Sequence, residues 1–451
     1  MSMAFLNELI ATITEQGRSL IGRKRGTPAA AQDLPGMCDA LYSGLGEASG
    51  AALAGDIFAA YGALSHEERV SFFRDLLERY GPDRARVRAL VVKLAADPDD
   101  NDAAALLHQA SEPRRQELIR RLNMAPGGTA AIVAMRADLL GAIGDHPELA
   151  VLDADFSHLL SSWFNTGFLV LRRIDWSTPA VILEKIIHHE AVHEITDWDD
   201  LRRRIDPGDR RLYAFFHPVL VDEPLIFVEV ALITEVPSAI APILEDEREE
   251  IPANDATVAA FYSLSTCQKG LGGISFGSFL IKRVAEELGR ELPNLKSFAT
   301  LSPVPNFKTW LDAELAKQTS PVINDEWRTD LILHEAPGWF LDTALADRLR
   351  DILVPLLAYY LLAMKDAYGK PLDPVARLHL RNGARLERIN WLADQSDKGL
   401  AQSVGMMVNY LYELKDIVKN HELYANEDHL VAASAVRAKL EKIPKGAQAV
   451  A

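Results

Sequence analysis

Up to about Trp163 the apolar positions recur at helical spacing, and the alternation of a half-buried strand is absent. The segment is rich in Ala, Leu, Arg and Glu, residues that favour helix. In "SHEERVSFFRDLLERYGPD", Ser65 and Glu68 form a capping box and Gly81-Pro82 stops the helix. "SEPRRQELIRRLNMAPGG" repeats this grammar, with Ser111 as cap and Pro113 in the first turn. No fixed-period repeat is present. This part reads as a helical bundle that packs on something, or on a copy of itself.

The texture changes after "SSWFNTG". "FLVLRRI" from Phe168 reads as a strand, and "PAVILEKIIHHEAVHEI" as a helix. "RLYAFFHP", "PLIFVEVALI", "VAAFYSLS" and "FATLSPVP" are aromatic and β-branched runs of strand length. A glycine-rich turn and a long amphipathic helix, Phe276 to Leu288, separate the last two. From Phe307 the chain is mainly helical, with "AYGKPLDPVARLHLRNGARLERINW" read as a loop in its middle. The expected fold class is α+β: an all-α bundle over 1–165, then an α/β domain over 166–451 with extra C-terminal helices.

Composition narrows the function. The 451 residues are 48% apolar and 25% charged, ordinary for a soluble globular protein. A net charge of −16 repels phosphate backbones and argues against nucleic acid as a partner. An anionic small ligand would need a local positive site. Cys38 and Cys267 belong to no C-x-x-C pattern, so a reducing, cytoplasmic setting is expected. Asn7, Glu8 and Glu15 interrupt the apolar region a secretory signal would need. The run Ile352 to Met364 is too short to span a bilayer and contains Pro355, so no membrane is expected.

His189-Glu190-Ala191-Val192-His193 spells H-E-x-x-H, which on a helix can hold zinc and supply a general base. A catalytic zinc needs a third protein ligand. The metzincin positions for it hold Thr196 and Asp199, while a glutamate from another helix stays open. Continuing the helix defined by Ile182, Leu183, Ile186 and Ile187 turns Glu190 and His193 inward. Arg202 to Arg204 are then the nearby partners for the acid. No metal is expected, and a zinc peptidase is the distant alternative.

"TCQKGLGGI" is more informative. Gly270, Gly272 and Gly273 bare the backbone before a helix, where N–H groups cradle phosphate, and Lys269 adds charge. No Gly-Lys-Ser/Thr follows, and the spacing is not G-x-G-x-x-G. The run Gln268 to Gly273 instead resembles the Q-x-x-G-x-G/A loop by which the Gcn5-related acyltransferase (GNAT) fold binds the pyrophosphate of coenzyme A. Ser302 follows at a strand end, stiffened by Pro303 and Pro305.

Longer stretches extend the resemblance. "HPVLVDEPLIFVEVAL", "FYSLSTCQKGLGGISFGSFLIKRVAEEL", "LSPVPNF", "DPVARLHLRNGARLERINWLAD" and "GMMVNYLYEL" resemble the malonyl-CoA decarboxylases, in order, from about residue 166 to 415. The resemblance implies a helical oligomerisation domain before an acyltransferase-like catalytic domain. It places the active-site serine on Ser302 and the histidine on His379. It places the malonyl-CoA loop on Gly272, Gly273, Ile274, Ser275, Phe276, Gly277 and Ser278, led by Gln268, Gly270 and Leu271. Tyr412 matches a tyrosine near the family's site, and Asn382 and Asn390 fall in the same region. Animal members carry a glutamate where this chain has Ser275. The resemblance attaches no zinc role to the E-A-V-H run.

The implied reaction converts malonyl-CoA to acetyl-CoA and CO₂ without metal or organic cofactor, in a homo-oligomer (dimer or tetramer). The expected roles are Ser302 holding the malonyl group and His379 donating a proton to carbon 2. An ordinary histidine pKa near neutrality suits that task. The alternative is a coenzyme A-dependent N-acyltransferase using the same loop.

Overall fold

The computed structural model describes residues 33–44, 46–274 and 280–444. They form two compact units.

The first unit contains helices α1 (Leu34–Tyr42), α2 (Glu47–Gly62), α3 (His66–Arg79), α4 (Arg84–Ala96), α5 (Asn101–Ser111), α6 (Arg114–Leu122), α7 (Gly128–Ala142) and α8 (Ala150–Trp163). The capping box is present: Ser65 Oγ accepts from the Glu68 amide, and the Glu68 carboxylate accepts from the Ser65 amide. The expected second cap is not. Ser111 is the last residue of α5, and Pro113 itself stands before α6 with no side-chain cap. Leu41, Ile57, Phe73, Leu118, Leu139 and Phe156 fill the core. Within it Arg115 Nε donates to Asp155 Oδ2 at 2.5 Å, and Gln116 donates to Oδ1, so the buried acid is satisfied. By packing, His217–Glu223 and the loop that opens at Gln268 belong to this unit. His217 stacks near Phe164, with ring centroids 4.8 Å apart.

The second unit is built on an eight-stranded sheet. Its strands are β1 (Val170–Ile174), β2 (Arg210–Phe216), β3 (Pro224–Ile233), β4 (Val258–Thr266), β5 (Ser297–Thr300), β6 (Ser302–Pro303), β7 (Arg385–Asn390) and β8 (Met407–Tyr412). The order is β1-β2-β3-β4-β5-β8-β6, with β7 also paired to β8. Among these strands the only parallel pair is β4–β5. They flank the glycine loop and an amphipathic helix in sequence, which is the strand–loop–helix–strand order that the acyltransferase resemblance implies. Helices α9 (Ala180–His189), α10 (Trp198–Ile205), α11 (Ala241–Leu244), α12 (Leu280–Glu291) and α13 (Phe307–Ala316) come next in chain order. The last group is α14 (Asp325–Leu331), α15 (Thr343–Leu362), α16 (Pro374–Arg381), α17 (Asp397–Ser403), α18 (Ile417–Glu427) and α19 (Ser434–Arg437). The apolar run around Pro355 lies in α15 and is buried, and no described helix is long and apolar enough to cross a membrane.

Two further expectations change. The stretch read as a loop holds α16 and β7. Asp373 Oδ1 accepts from the Ala376 amide at 2.7 Å, and Pro374 supplies a preset first turn, so helix starts inside a Pro- and Gly-punctuated segment.

The H-E-x-x-H motif also does not lie along a helix. α9 ends at His189, and Glu190 leaves it at φ −66°, ψ 110°. The Glu190 carboxylate accepts from the Val192 and His193 amides, each at 2.8 Å. It also accepts from Ser263 Oγ at 2.7 Å and Ser265 Oγ at 3.0 Å, both on β4. Arg204, expected beside Glu190, instead donates to the carbonyls of His193 and Glu194 and to Glu229. Glu190 therefore fastens the end of α9 to the sheet. The i, i+4 helical geometry that zinc chelation by His189 and His193 requires is missing.

Candidate active site

Side chains two apart on a strand share a face, and Thr300 and Ser302 show this spacing across the β5–β6 junction. Ser302 opens β6 rather than closing β5, and pairs with Val408 of β8. Ser302 Oγ donates to Thr300 Oγ1 at 2.8 Å, and Thr300 Oγ1 accepts from the Tyr410 amide at 3.1 Å. Asn409 Nδ2 donates to the Thr300 carbonyl at 2.7 Å. Both the hydroxyl and the carbonyl of Thr300 are thus tied to β8.

His379 comes from α16 and is buried. Its Nε2 lies 3.2 Å from Ser302 Oγ and its Nδ1 2.8 Å from the Tyr412 hydroxyl. Tyr410, two residues before Tyr412, stacks on the imidazole with centroids 4.7 Å apart and planes at 26°. With the Ser302 proton directed to Thr300, the ring proton belongs on Nε2, donated to Ser302. Nδ1 then accepts from Tyr412. One tautomer satisfies both contacts.

Electrostatics reinforces this. Burial away from water pushes the His379 imidazole down to about 3. This overturns the expectation of a histidine titrating near neutrality: in the described site the ring is neutral. Burial also pushes the Tyr412 phenol well above its ordinary range, so it stays a donor. Asp373, at the start of α16, is pushed up to about 6 by burial.

In the first unit the loop makes a type II turn at Leu271–Ile274. The Ile274 amide donates to the Leu271 carbonyl at 3.0 Å, Gly272 has φ −53° and ψ 131°, and Gly273 has φ +77°. Position three of such a turn favours glycine. Gly270 is glycine for another reason: a Cβ there would sit 1.8 Å from the Val133 carbonyl oxygen of α7. The expectation that this residue bares backbone for phosphate does not hold for Gly270, whose open side is filled by α7. Lys269 and Gly273 are exposed, and Leu271 and Ile274 are buried. Gln268 is half-buried, with its amide 3.4 Å from Glu223. Ser275, Phe276, Gly277 and Ser278 lie outside the described residues.

The structure thus joins Ser302, His379 and Tyr412 in one hydrogen-bonded chain. Asn390 and Asn382 are not part of it. Asn390 donates to Asn409 at 2.8 Å, bracing β8, and Asn382 donates to the Leu378 carbonyl at the end of α16. Thr300, Tyr410 and Asn409 were missed. Period-two spacing from Ser302 and Tyr412 was the available signal for the first two. Among the described residues, Asp312, His334 and Glu335 are close enough to hold an ion, but Lys308 Nζ already pairs with Asp312 at 3.0 Å and Glu335 at 2.6 Å.

A buried hydroxyl–imidazole–phenol chain can hold a polar acyl group and move one proton, without exposing a charged base to water. Family comparison agrees with a thioester enzyme. The model of the malonyl-CoA decarboxylase C-terminal domain matches residues 167–450, and that of the N-terminal domain matches residues 80–164. This chain belongs to the malonyl-CoA decarboxylase family. It is 37% identical over 393 residues to the mitochondrial malonyl-CoA decarboxylase of Anser anser anser, covering 80% of this chain and 77% of that one. With the Rattus norvegicus mitochondrial enzyme it shares 34% identity over 415 residues, covering 84% of each. The crystal structure of the Rhodopseudomonas palustris malonyl-CoA decarboxylase is similar at TM-score 0.88 and 55% identity, over 91% of this chain and all of that one. The Agrobacterium vitis enzyme gives TM-score 0.84 and 50% identity, over 90% and 99%.

The histidine state is directly measurable. By NMR of ring-labelled protein, His379 is expected to keep the neutral Nε2–H signature from pH 8 down to pH 5. An ordinary histidine, with a pKa of about 6.5, would be mostly charged at the lower value.

Proposed function

We propose that this chain is a carboxy-lyase that converts malonyl-CoA to acetyl-CoA and CO₂. The observation that carries the reading is the buried chain Ser302–His379–Tyr412 in a member of the malonyl-CoA decarboxylase family. Loss of CO₂ leaves an enolate on the thioester, and the thioester is itself the electron sink, so no metal or organic cofactor enters. Ser302 holds the malonyl group by turning its hydroxyl proton from Thr300 Oγ1 to the acyl group when substrate binds. As charge develops, that donor gains most in a site screened from water. No covalent acyl-serine is involved.

His379 then supplies the proton for carbon 2. Because the ring starts neutral, its Nε2 proton leaves as Nδ1 takes the proton of Tyr412. The imidazole passes through neither imidazolium nor imidazolate. The proton balance is one consumed per CO₂ released: the Nε2 proton bonds to carbon 2 while Nδ1 takes that of Tyr412, and the resting state returns when Nδ1 hands that proton back and water supplies one to Nε2. An enolate carbon is a far stronger base than a phenolate, so the transfer runs downhill.

The loop from Gln268 binds the pyrophosphate of coenzyme A, with exposed Lys269 and the turn backbone as donors. The proposed domains are a helical domain over 1–165 and a catalytic domain over 166–451. The buried cysteines Cys38 and Cys267 suit a reducing, cytoplasmic setting.

Self-association through the helical domain is part of the reading. In its support, α4 buries none of its residues, and it leaves Val91 50% and Val92 71% exposed. Light scattering on the full chain is expected to give the mass of a dimer or tetramer, and a monomer mass would refute this part.

The reaction is tested by following acetyl-CoA and CO₂ from malonyl-CoA with no amine present. An N-acyltransferase would form neither at a catalytic rate. His379→Ala is expected to lower kcat by about 10²- to 10⁴-fold, the range for a positioned acid. Ser302→Ala should cost about 10²-fold or more, and Tyr412→Phe roughly tenfold. Unchanged turnover in the serine or histidine variant would sink the assignment.

A further inference from the structure

Arg136 lies on α7 of the helical unit, and its side chain is 2% exposed. Its guanidinium is engaged on two sides. Nε and Nη2 donate to Asp153 Oδ1 and Oδ2 at 2.7 and 3.3 Å. Nη1 donates to the Gly270 carbonyl at 2.7 Å and to the Gly272 carbonyl at 2.9 Å. A buried cation spent on two loop carbonyls needs a reason, because those carbonyls could face water at little cost.

Turn geometry supplies the reason. Type I and type II turns differ by a flip of their central peptide. In the turn Leu271–Ile274 that peptide joins Gly272 to Gly273, and it has the type II orientation. The carbonyl that Arg136 binds belongs to this peptide. In a trans peptide the N–H points opposite to the C=O, and the chain has no cis bonds among the described residues. By holding the Gly272 oxygen toward α7, Arg136 turns the Gly273 N–H away from the bundle, on an exposed stretch beside Lys269. The second bond, to Gly270, pins the residue whose missing Cβ lets the loop touch Val133.

We propose that Arg136 is a positioning residue for coenzyme A binding: from the helical unit, it locks the peptide flip that presents the Gly273 amide to the ligand's pyrophosphate. Arg136 itself does not touch phosphate. Asp153 both orients it and cancels its charge. Within the helical unit, α7 then sets the binding orientation of the loop's backbone. The inference rests on the reading of the loop as the phosphate site.

The test is steady-state kinetics of the full chain with two substrates: malonyl-CoA, and malonyl-pantetheine, which keeps the thioester but lacks the pyrophosphate. Arg136→Lys keeps a cation for Asp153 but cannot reach both carbonyls. It is expected to raise KM for malonyl-CoA about tenfold, with kcat within about twofold. Its kcat/KM for malonyl-pantetheine should stay at the wild-type value. Asp153→Asn, at a partly exposed carboxylate, should shift KM in the same direction by less, and serves if the first variant does not fold. Equal losses with both substrates would mark a purely structural role, and an unchanged KM in either folded variant would also overturn the proposal. Wild-type enzyme that uses both substrates with the same kcat/KM would overturn the phosphate-loop reading beneath it, and the proposal with it.

Discussion

A neutral histidine buried between two hydroxyls is the constraint on which the rest depends. An imidazole out of water must use both ring nitrogens or lose the hydrogen bonds it had in solvent. His379 uses both, toward Ser302 and Tyr412. Those two residues come from segments far apart in sequence, and the sheet brings them together. β8 runs antiparallel beside both β5 and β6, pairing Tyr412 with Phe298 and Val408 with Ser302. A slip of one residue in β8 would turn Tyr410 and Tyr412 to the opposite face. The register of β8 is therefore a functional quantity. Asn409, which donates to the Thr300 and Pro237 carbonyls, ties that register to neighbouring segments.

The same economy explains the loop. Gly270 is small so that the chain can lie against α7, and Gly273 is glycine because its backbone is left-handed. One short motif thus combines a packing glycine with a conformational one. Arg136, which donates to the loop's carbonyls, works on the peptide between Gly272 and Gly273. Phosphate recognition by backbone N–H groups depends on which way peptides face, and a peptide can be turned from behind by a group that never meets the ligand.

Much of this was legible in the chain. Helices of the first half announced themselves through Ser65 and Glu68, and the strands β1 to β4 through compact aromatic and β-branched runs. Ser302, His379 and Tyr412 were placed by resemblance, and their geometry makes them one unit. What misled was local punctuation. Asp373-Pro374 looks like a turn but starts α16, because the same residues that make turns also cap helices. The apolar rhythm before His189 suggested a helix through His193. It ended sooner because Ser263 and Ser265, some seventy positions later, offer Glu190 better partners than another helical turn does. The depressed pKa of His379 had no local signal, since it arises from burial that only the fold creates. Ser111 failed as a cap because α5 runs through it.

Catalysis turns on the neutral His379 handing its Nε2 proton to carbon 2 of a malonyl group held by Ser302. A crystal structure with a malonyl-CoA analogue that cannot lose CO₂ tests it most directly. Carbon 2 is expected within about 3.5 Å of His379 Nε2, as a near-attack arrangement requires, with Ser302 Oγ hydrogen-bonded to the malonyl group and Tyr412 still on Nδ1. A malonyl group seated away from His379, or an imidazole swung out of the Ser302–Tyr412 chain, would contradict it.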